Sequence, residues 1–559
     1  PQSDLPVYPA KTTLKLAKMN GLQALANALV RQHRFAEAEI AARNGIQIAA
    51  ASFGRNSIYM ARAIDPMILV LTRTSRLTEA LNLAAIAIDI LEKLGVDQDG
   101  HRLNRARHRL AAVHVATDDW NSALSGFAAI AKAARGDNIL LDRFYRYDLD
   151  RATALLQTGQ VDDAAKITGP AARRLVVKLG AKSYESALAL GLHAVALQRA
   201  GDTAAALELF RQSFAILSTR SRESSGTGSG HSGTRLRLIN EGYMAALMQS
   251  GRREEAAEAF RVASFTGARK VQMALAQSAA RAAIADPGLR DLVRSEQDAK
   301  KQISAFYGIL SNALIDSKVV SGEVTRLRTA IDDLRGARAV LMEEIEQRFP
   351  DYAELINPKP ADIASVRGFL APDEAMVVTY VGAERIHIWA FPAKGVMAFS
   401  TFEKGRAGLR TAVERIRKSL TPQAQTLGDI PEFDVTRAHD LYAKLLQPVA
   451  AGWRGSENLF IVAHGPLGYL PFALLPTART GIGPQREPLF VRYADVPWLI
   501  RNHSIAMLPS AHSLAALRRL PVRSGEQRQF AGFGDPLFGG DDDDRNPATG
   551  APAQGNSGT

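Results

Sequence analysis

Residues 457–477, ENLFIVAHGPLGYLPFALLPT, decide the fold of the second half of this chain. Leu459-Phe460-Ile461-Val462 is a short apolar run between polar residues. Such a run predicts a strand covered on both faces of its sheet. His464-Gly465-Pro466 then turns the chain. Leu467, Leu470 and Phe472 bring an apolar cluster back over the strand end, and Pro471 and Pro476 fix the path. A buried strand ending in a shaped loop predicts one wall of a site in an α/β domain.

Working outward, the pattern predicts strands over 504–508 and 529–532 with a helix over 511–519 between them, and a loop reaching Trp498. Upstream, 375–381 and 385–391 predict two strands joined at Gly382-Ala383-Glu384, a turn suited to a hairpin. Residues 406–419 and 436–449 predict helices. His387 sits inside the second strand among apolar residues, which points to a satisfied or edge histidine rather than a ligand. Residues 350–360 hold three prolines and break the preceding helix.

The first half carries a repeat. Gly201-Asp202-x-x-x-Ala206-Leu207-x-x-Phe210-x-x-Ser213 sets the frame, and Gly251, Ala256, Phe260 and Ala263 restate it. The same frame starts at His33, Ser75, Asp118 and Gly159. Its marker alanines are Ala38, Ala80, Ala123, Ala164, Ala206 and Ala256, at intervals of 42, 43, 41, 42 and 50 residues. The long last interval contains the Gly/Ser insertion 221–233, SRESSGTGSGHSG. Each unit is predicted to be two antiparallel helices, with small residues at the crossing and an aromatic filling the gap to the next helix. One such pair cannot bury its apolar faces, so the units stack into a superhelix with a concave groove. Grooves of this kind bind peptides or protein segments. The solenoid could equally serve only to position the domain that follows. Gly228-x-Gly230-x-x-Gly233 in the insertion lacks the preceding strand of a dinucleotide site and reads as a flexible loop. Residues 287–349 continue helical, with stripes at Ile303, Phe306, Leu310, Leu314 and at Leu327, Ile331, Leu334. They predict a long helical pair.

Gly465-x-Leu467-x-x-Leu470-Pro471-Phe472-x-x-Leu475, after its strand, resembles the first core motif of the CHAT domain, a caspase-like cysteine peptidase fold that usually follows tetratricopeptide repeats. Ile505-x-Met507-Leu508-Pro509-Ser510-Ala511-x-x-Leu514 resembles the strand-to-helix element that comes next, and Phe530-x-Gly532-x-Gly534-Asp535-Pro536 the strand and turn after that. Phe349-Pro350-Asp351-Tyr352-Ala353-Glu354-Leu355 and residues 375–381 resemble the run-in. The repeats in turn look like the longer-helix tetratricopeptide repeats found with such domains. The resemblance implies a mostly α fold: a tetratricopeptide-type α-solenoid over 1–285, a helical linker over 286–350, the first part of a caspase-like α/β domain over 351–540, and a disordered acidic, Gly-rich tail over 541–559.

In that family the catalytic His and Cys follow the Gly-Asp-Pro turn. The chain has 23 residues after Pro536 (559 − 536) and no cysteine. His464-Gly465 imitates the family's catalytic His-Gly but occupies the earlier motif, so no catalytic role attaches to it. No catalytic residue, cofactor site or metal site is assigned. As given, the chain is expected to be inactive as a cysteine endopeptidase, because thiolate chemistry needs a Cys beside a base. A sheet cut after its first strands would expose an unpaired edge. The native product is therefore expected to continue, or a second polypeptide to complete the sheet.

The remaining features bound the partners. Net charge is +12 and the pI near 9.8, which favours acidic partners. The densest basic patch is His101-Arg102-x-x-Arg105-x-Arg107-His108-Arg109. It has no interleaved aromatics for stacking bases, which disfavours nucleic acid. No apolar stretch reaches the ~18–20 residues of a membrane span. Asp541–Asp544 lacks the alternating oxygen ligands of a calcium loop. Zero cysteines leave the compartment open, and so does a first residue that is Pro1. The expected partners are a protein or peptide in the repeat groove and the missing catalytic half. A catalytically silent scaffold binding protein partners is the alternative.

Overall fold

The computed structural model describes residues 10–31, 34–223, 231–267, 287–315, 321–349, 352, 360–420, 429–484, 487 and 490–519. All of them lie in one compact unit. The core of the 221–233 insertion, most of 350–360, the 529–532 strand, the Gly-Asp-Pro turn and the acidic tail fall outside the described residues.

Helices pair along the first half. The pairs are α1 (Ala10–Arg31) with α2 (Phe35–Phe53), α3 (Ile58–Arg73) with α4 (Leu77–Lys93), and α5 (His101–Ala116) with α6 (Trp120–Ala133). After a short α7 (Asn138–Phe144) come α8 (Leu149–Gln157) with α9 (Val161–Leu179), α10 (Tyr184–Arg199) with α11 (Thr203–Glu223), and α12 (His231–Gln249) with α13 (Arg253–Gly267).

The marker alanines explain the period. Each is the fourth residue of the second helix of its pair, and each is fully buried. Five residues before the marker the chain takes a left-handed conformation, at Ser75, Asp118, Gly159, Gly201 and Gly251. That turn ends one helix and starts the next. The residue after it donates back across the turn: Arg76 to Leu71, Asp119 to His114, Gln160 to Leu155 and Asp202 to Leu197, at 2.9–3.0 Å. These bonds satisfy carbonyls that the helix end leaves open. Four residues past the marker, Phe127, Phe210 and Phe260 are buried in the gap between units.

The first helices of successive pairs touch one another, α1 to α3, α3 to α5, α5 to α8, α8 to α10 and α10 to α12. They line the inner face. The superhelix curls tightly, because α12 also reaches α3 and α5. Arg235 on α12 pairs with Asp150 on α8, and Arg237 reaches Asp118 at 3.5 Å.

The helical pair expected as a linker is α14 (Pro287–Ile315) and α15 (Ser321–Arg348). The two helices pack on each other, and α14 lies against α2 of the first repeat. Arg335 lies 3.5 Å from Glu37, Asp332 lies 3.8 Å from Arg34, and Arg338 bonds Glu296 at 2.6 Å.

A mixed five-stranded sheet follows α16 (Ile363–Arg367). Its strands are β1 (Glu374–Val381), β2 (Ile386–Pro392), β3 (Ala398–Phe402), β4 (Asn458–Val462) and β5 (Ser504–Leu508), in the order β3-β2-β1-β4-β5. The hairpin pairs Val381 with Ile386 and Ala375 with Pro392. β1, β4 and β5 run parallel. The third strand, β3, is absent from the sequence-based expectation. Its five residues are half-buried at the edge and have no clean alternation. The helix expected over 436–449 is α18 (Val435–Leu445). Pro448 lacks an N–H and ends it in a tighter turn, Gln447–Gly452.

The sheet has two buried faces. One packs on α17 (Arg406–Lys418), α18 and Trp453. The other, with Met376, Val378, Tyr380, Trp389 and Phe391, merges into the core of the last repeats, and α19 (Ala511–Arg519) closes it. Repeat solenoid and sheet therefore share one apolar core.

Candidate functional site

In open α/β sheets, sites form beyond the C-terminal ends of parallel strands. Here those ends are Val381, Val462 and Leu508, and the last repeats reach them. Apolar packing brings the two parts together. Phe260 of α13 meets Trp389 and Phe391 edge-on, with ring centroids 6.0 and 5.6 Å apart. The indole N–H of Trp389 donates to the Ala256 carbonyl at 2.8 Å.

Polar contacts hold the hairpin tip. Glu241 of α12 accepts from the Ala383 N–H at 3.1 Å, and Arg199 of α10 lies 3.8 Å from Glu384. Arg406, at the start of α17, donates to the Val381 carbonyl at 3.0 Å. Burial raises the Glu241 carboxyl above its ordinary pKa, while the Ala383 N–H, Arg237 and Arg406 pull the other way. Burial also pushes the Tyr380 phenol well above its ordinary range, and the neighbouring Glu241 charge adds to this.

His464 sits just past β4. Its ring stacks on Tyr380, with centroids 4.8 Å apart and planes at 11°. Nδ1 accepts from the Val381 N–H at 3.0 Å, so the ring proton resides on Nε2. Its backbone N–H donates to Thr379 Oγ1 at 3.1 Å. Burial, then Arg406, depress its pKa to about 4, and the ring is neutral at physiological pH. It clasps the ends of two parallel strands together.

His387 is buried in β2, with Nδ1 3.0 Å from Thr401 Oγ1 on β3. Burial, then Arg385, lower its pKa to about 4. Among the described residues no group of His, Asp and Glu could hold a metal ion, and no helix is long and apolar enough to cross a membrane.

The basic patch on α5 divides between faces. Arg105 and Arg109 both bind Asp65 on α3, at 2.6 and 2.7 Å. His108 meets Asp148 at 2.7 Å, and Arg107 bonds the Gln98 carbonyl at 3.1 Å. Reading the sequence missed Glu241, Arg406 and Trp389 as junction residues. Their partners lie from 25 to 142 positions away, and no local pattern marks them.

A family model described as the CHAT domain matches residues 435–554, a span that starts at α18 and takes in β4, β5 and α19. No curated protein matches the chain. Similar solved structures include two crystal structures of nearly identical TPR-like repeats of a kinesin light chain from Podosopora anserina. One, a single-substitution variant, is 16% identical, covers 39% of this chain and 100% of its own, and has a TM-score of 0.28. The other is 17% identical, with coverage of 36% and 97% and a TM-score of 0.27. Over residues 435–554 the chain is similar to the CHAT domain, and the helix pairs that precede this span stack as a repeat solenoid.

Proposed function

We propose that the repeats are a protein-recognition arm and that their occupancy is transmitted to the CHAT domain through the shared core. The observation that carries this reading is the grip of α12 and α13 on the first hairpin, through Glu241 to Ala383 and Ala256 to Trp389. A partner that shifts the last repeat must move β1 and β2, because close-packed interiors transmit displacement rather than absorb it.

The family implies a cysteine peptidase. In that chemistry a neutral His takes the thiol proton, the thiolate attacks a peptide carbonyl, and backbone N–H groups hold the oxyanion. These 559 residues contain no Cys, so in this reading the nucleophile comes from outside them. The same observation favours a second reading, a catalytically silent scaffold that binds protein partners through the repeats. Peptide-library cleavage by protein from its native source, before and after a thiol alkylator, separates the two. Cleavage abolished by the alkylator supports the peptidase. Absence of any thiol-dependent cleavage supports the scaffold.

A further inference from the structure

A cavity of about 240 Å³ lies between α3, α4 and α5, in the second and third repeats. Its floor is apolar, with Ile68 and Leu91. Its walls and rim carry Arg62, Arg102, Arg105, Arg109 and His101, against one carboxylate, Asp65. Four guanidinium groups and one carboxylate leave +3 (4 − 1), with His101 neutral. Neutral is its expected state, because burial, then Arg143, Arg105 and Arg102, depress its pKa.

Asp65 is already committed. Arg105 and Arg109 both bond it, and together they overcome its burial and hold its pKa at about 2. Among the described residues the Arg62 side chain bonds a neutral partner, Gln23, through Nε at 2.9 Å, and no carboxylate. Among the described residues Arg102 has no carboxylate partner, and it stands exposed at the rim. Burial, then Arg105 and Arg102, weaken the hold of Arg62 on its proton. The lining therefore carries an excess of positive charge, and among the described residues neither Arg62 nor Arg102 is paired with a carboxylate.

Size narrows the occupant. Small-molecule and cofactor sites run to roughly 300–1,000 Å³, and this cavity is smaller. Its volume suits one or two side chains presented by a longer ligand. No Phe, Tyr or Trp is among its lining residues, so it lacks the broad stacking platform that single-stranded nucleic acid uses.

We propose that this cavity receives an acidic peptide segment, with an Asp or Glu carboxylate between Arg62 and Arg102 and an adjacent apolar side chain on Ile68 and Leu91. The proposal rests on the reading of the repeats as a recognition arm and names the chemistry of its ligand. Guanidinium groups bind carboxylates through paired, charge-assisted hydrogen bonds, which gives the cavity selectivity as well as attraction.

The test uses the full 559-residue chain and a fluorescent peptide of alternating Glu and Leu, followed by anisotropy. Controls are the matching Gln/Leu peptide and a single-stranded oligonucleotide of equal charge. The Arg62→Gln/Arg102→Gln double variant should weaken Glu/Leu binding by roughly tenfold or more. Ala106→Leu, which fills the cavity without changing charge, should weaken it as well. Arg107→Gln, on the other face of α5, should leave it unchanged, and the Gln/Leu peptide should bind at least tenfold more weakly, by the same reasoning. Glu/Leu binding that ignores both cavity variants would overturn the site while leaving the recognition arm standing. Equal loss in Arg107→Gln, or an oligonucleotide that binds as tightly with the same Arg62/Arg102 dependence, would also overturn it. A chain that binds neither peptide would count against both the site and the arm.

Discussion

The indole N–H of Trp389, on the second strand of the sheet, donates a 2.8 Å hydrogen bond to the carbonyl oxygen of Ala256, the marker alanine of the last repeat. The residue that sets the spacing of the repeats thus also anchors the sheet. Trp389 is fully buried, so its bond has no water to replace it. Trp389→Phe should lose about 2–3 kcal/mol of stability, from the bond together with the space the smaller ring leaves. Denaturant unfolding measures this, and a loss below about 0.5 kcal/mol would mean the contact is incidental.

Gly452 tests how closely the 447–452 turn lies on the sheet. A Cβ there would stand 2.1 Å from the Ala390 carbonyl oxygen, which is backbone and cannot swing aside. Gly452→Ala should therefore cost about 3 kcal/mol or more, at or above the usual range for overpacking. Gly455, three residues on, has open space around it, and Gly455→Ala should change stability by no more than about 0.5 kcal/mol. Paired thermal melts of the two variants make the comparison.

The repeats were legible because one physical constraint recurs at one position. Each crossing needs a small residue, and that residue falls at the same offset from a left-handed turn, so Ala80, Ala123 and Ala206 announce themselves. β4 was legible for a similar reason, since a strand buried on both faces must be apolar throughout. The packing of α14 and α15 against the first repeat was not legible. It is made by long polar side chains such as Arg335 and Glu37, 298 residues apart, and long polar side chains satisfy many surfaces. Glu241 was hidden likewise, because an acid on a helix reads as solvated until its partner strand is known. His464-Gly465 shows the reverse case, a pair of letters that suggests chemistry while the geometry commits Nδ1 to a backbone N–H.

Buried histidines should give the protein a measurable acid sensitivity. His464 and His387 both titrate near pH 4 in the fold, against 6.5 in an ordinary environment. Between those values the unfolded chain binds more protons than the folded one, so stability falls as pH drops from about 6.5 to about 4. Glu241 acts in the opposite sense. Its raised pKa contributes stability at acid pH that is lost as pH rises through its folded value. His464→Gln should flatten the acid loss over that window, and Glu241→Gln should steepen it. Stability profiles of the three proteins across pH 4–7 decide the matter, and superimposable profiles would remove both assignments.

Coupling between the last repeat and the sheet is the centre of the account, and hydrogen exchange reads it most directly. Phe260 belongs to the repeat, yet its ring packs on Trp389 and Phe391 of the hairpin. Phe260→Leu should trim that contact and destabilise both parts by about 1–2 kcal/mol. Amides of residues 253–267 and of residues 374–392 should then exchange faster by the same factor, roughly tenfold. Acceleration confined to 253–267, with the hairpin amides unchanged, would show that the repeats and the sheet open independently and would contradict the account.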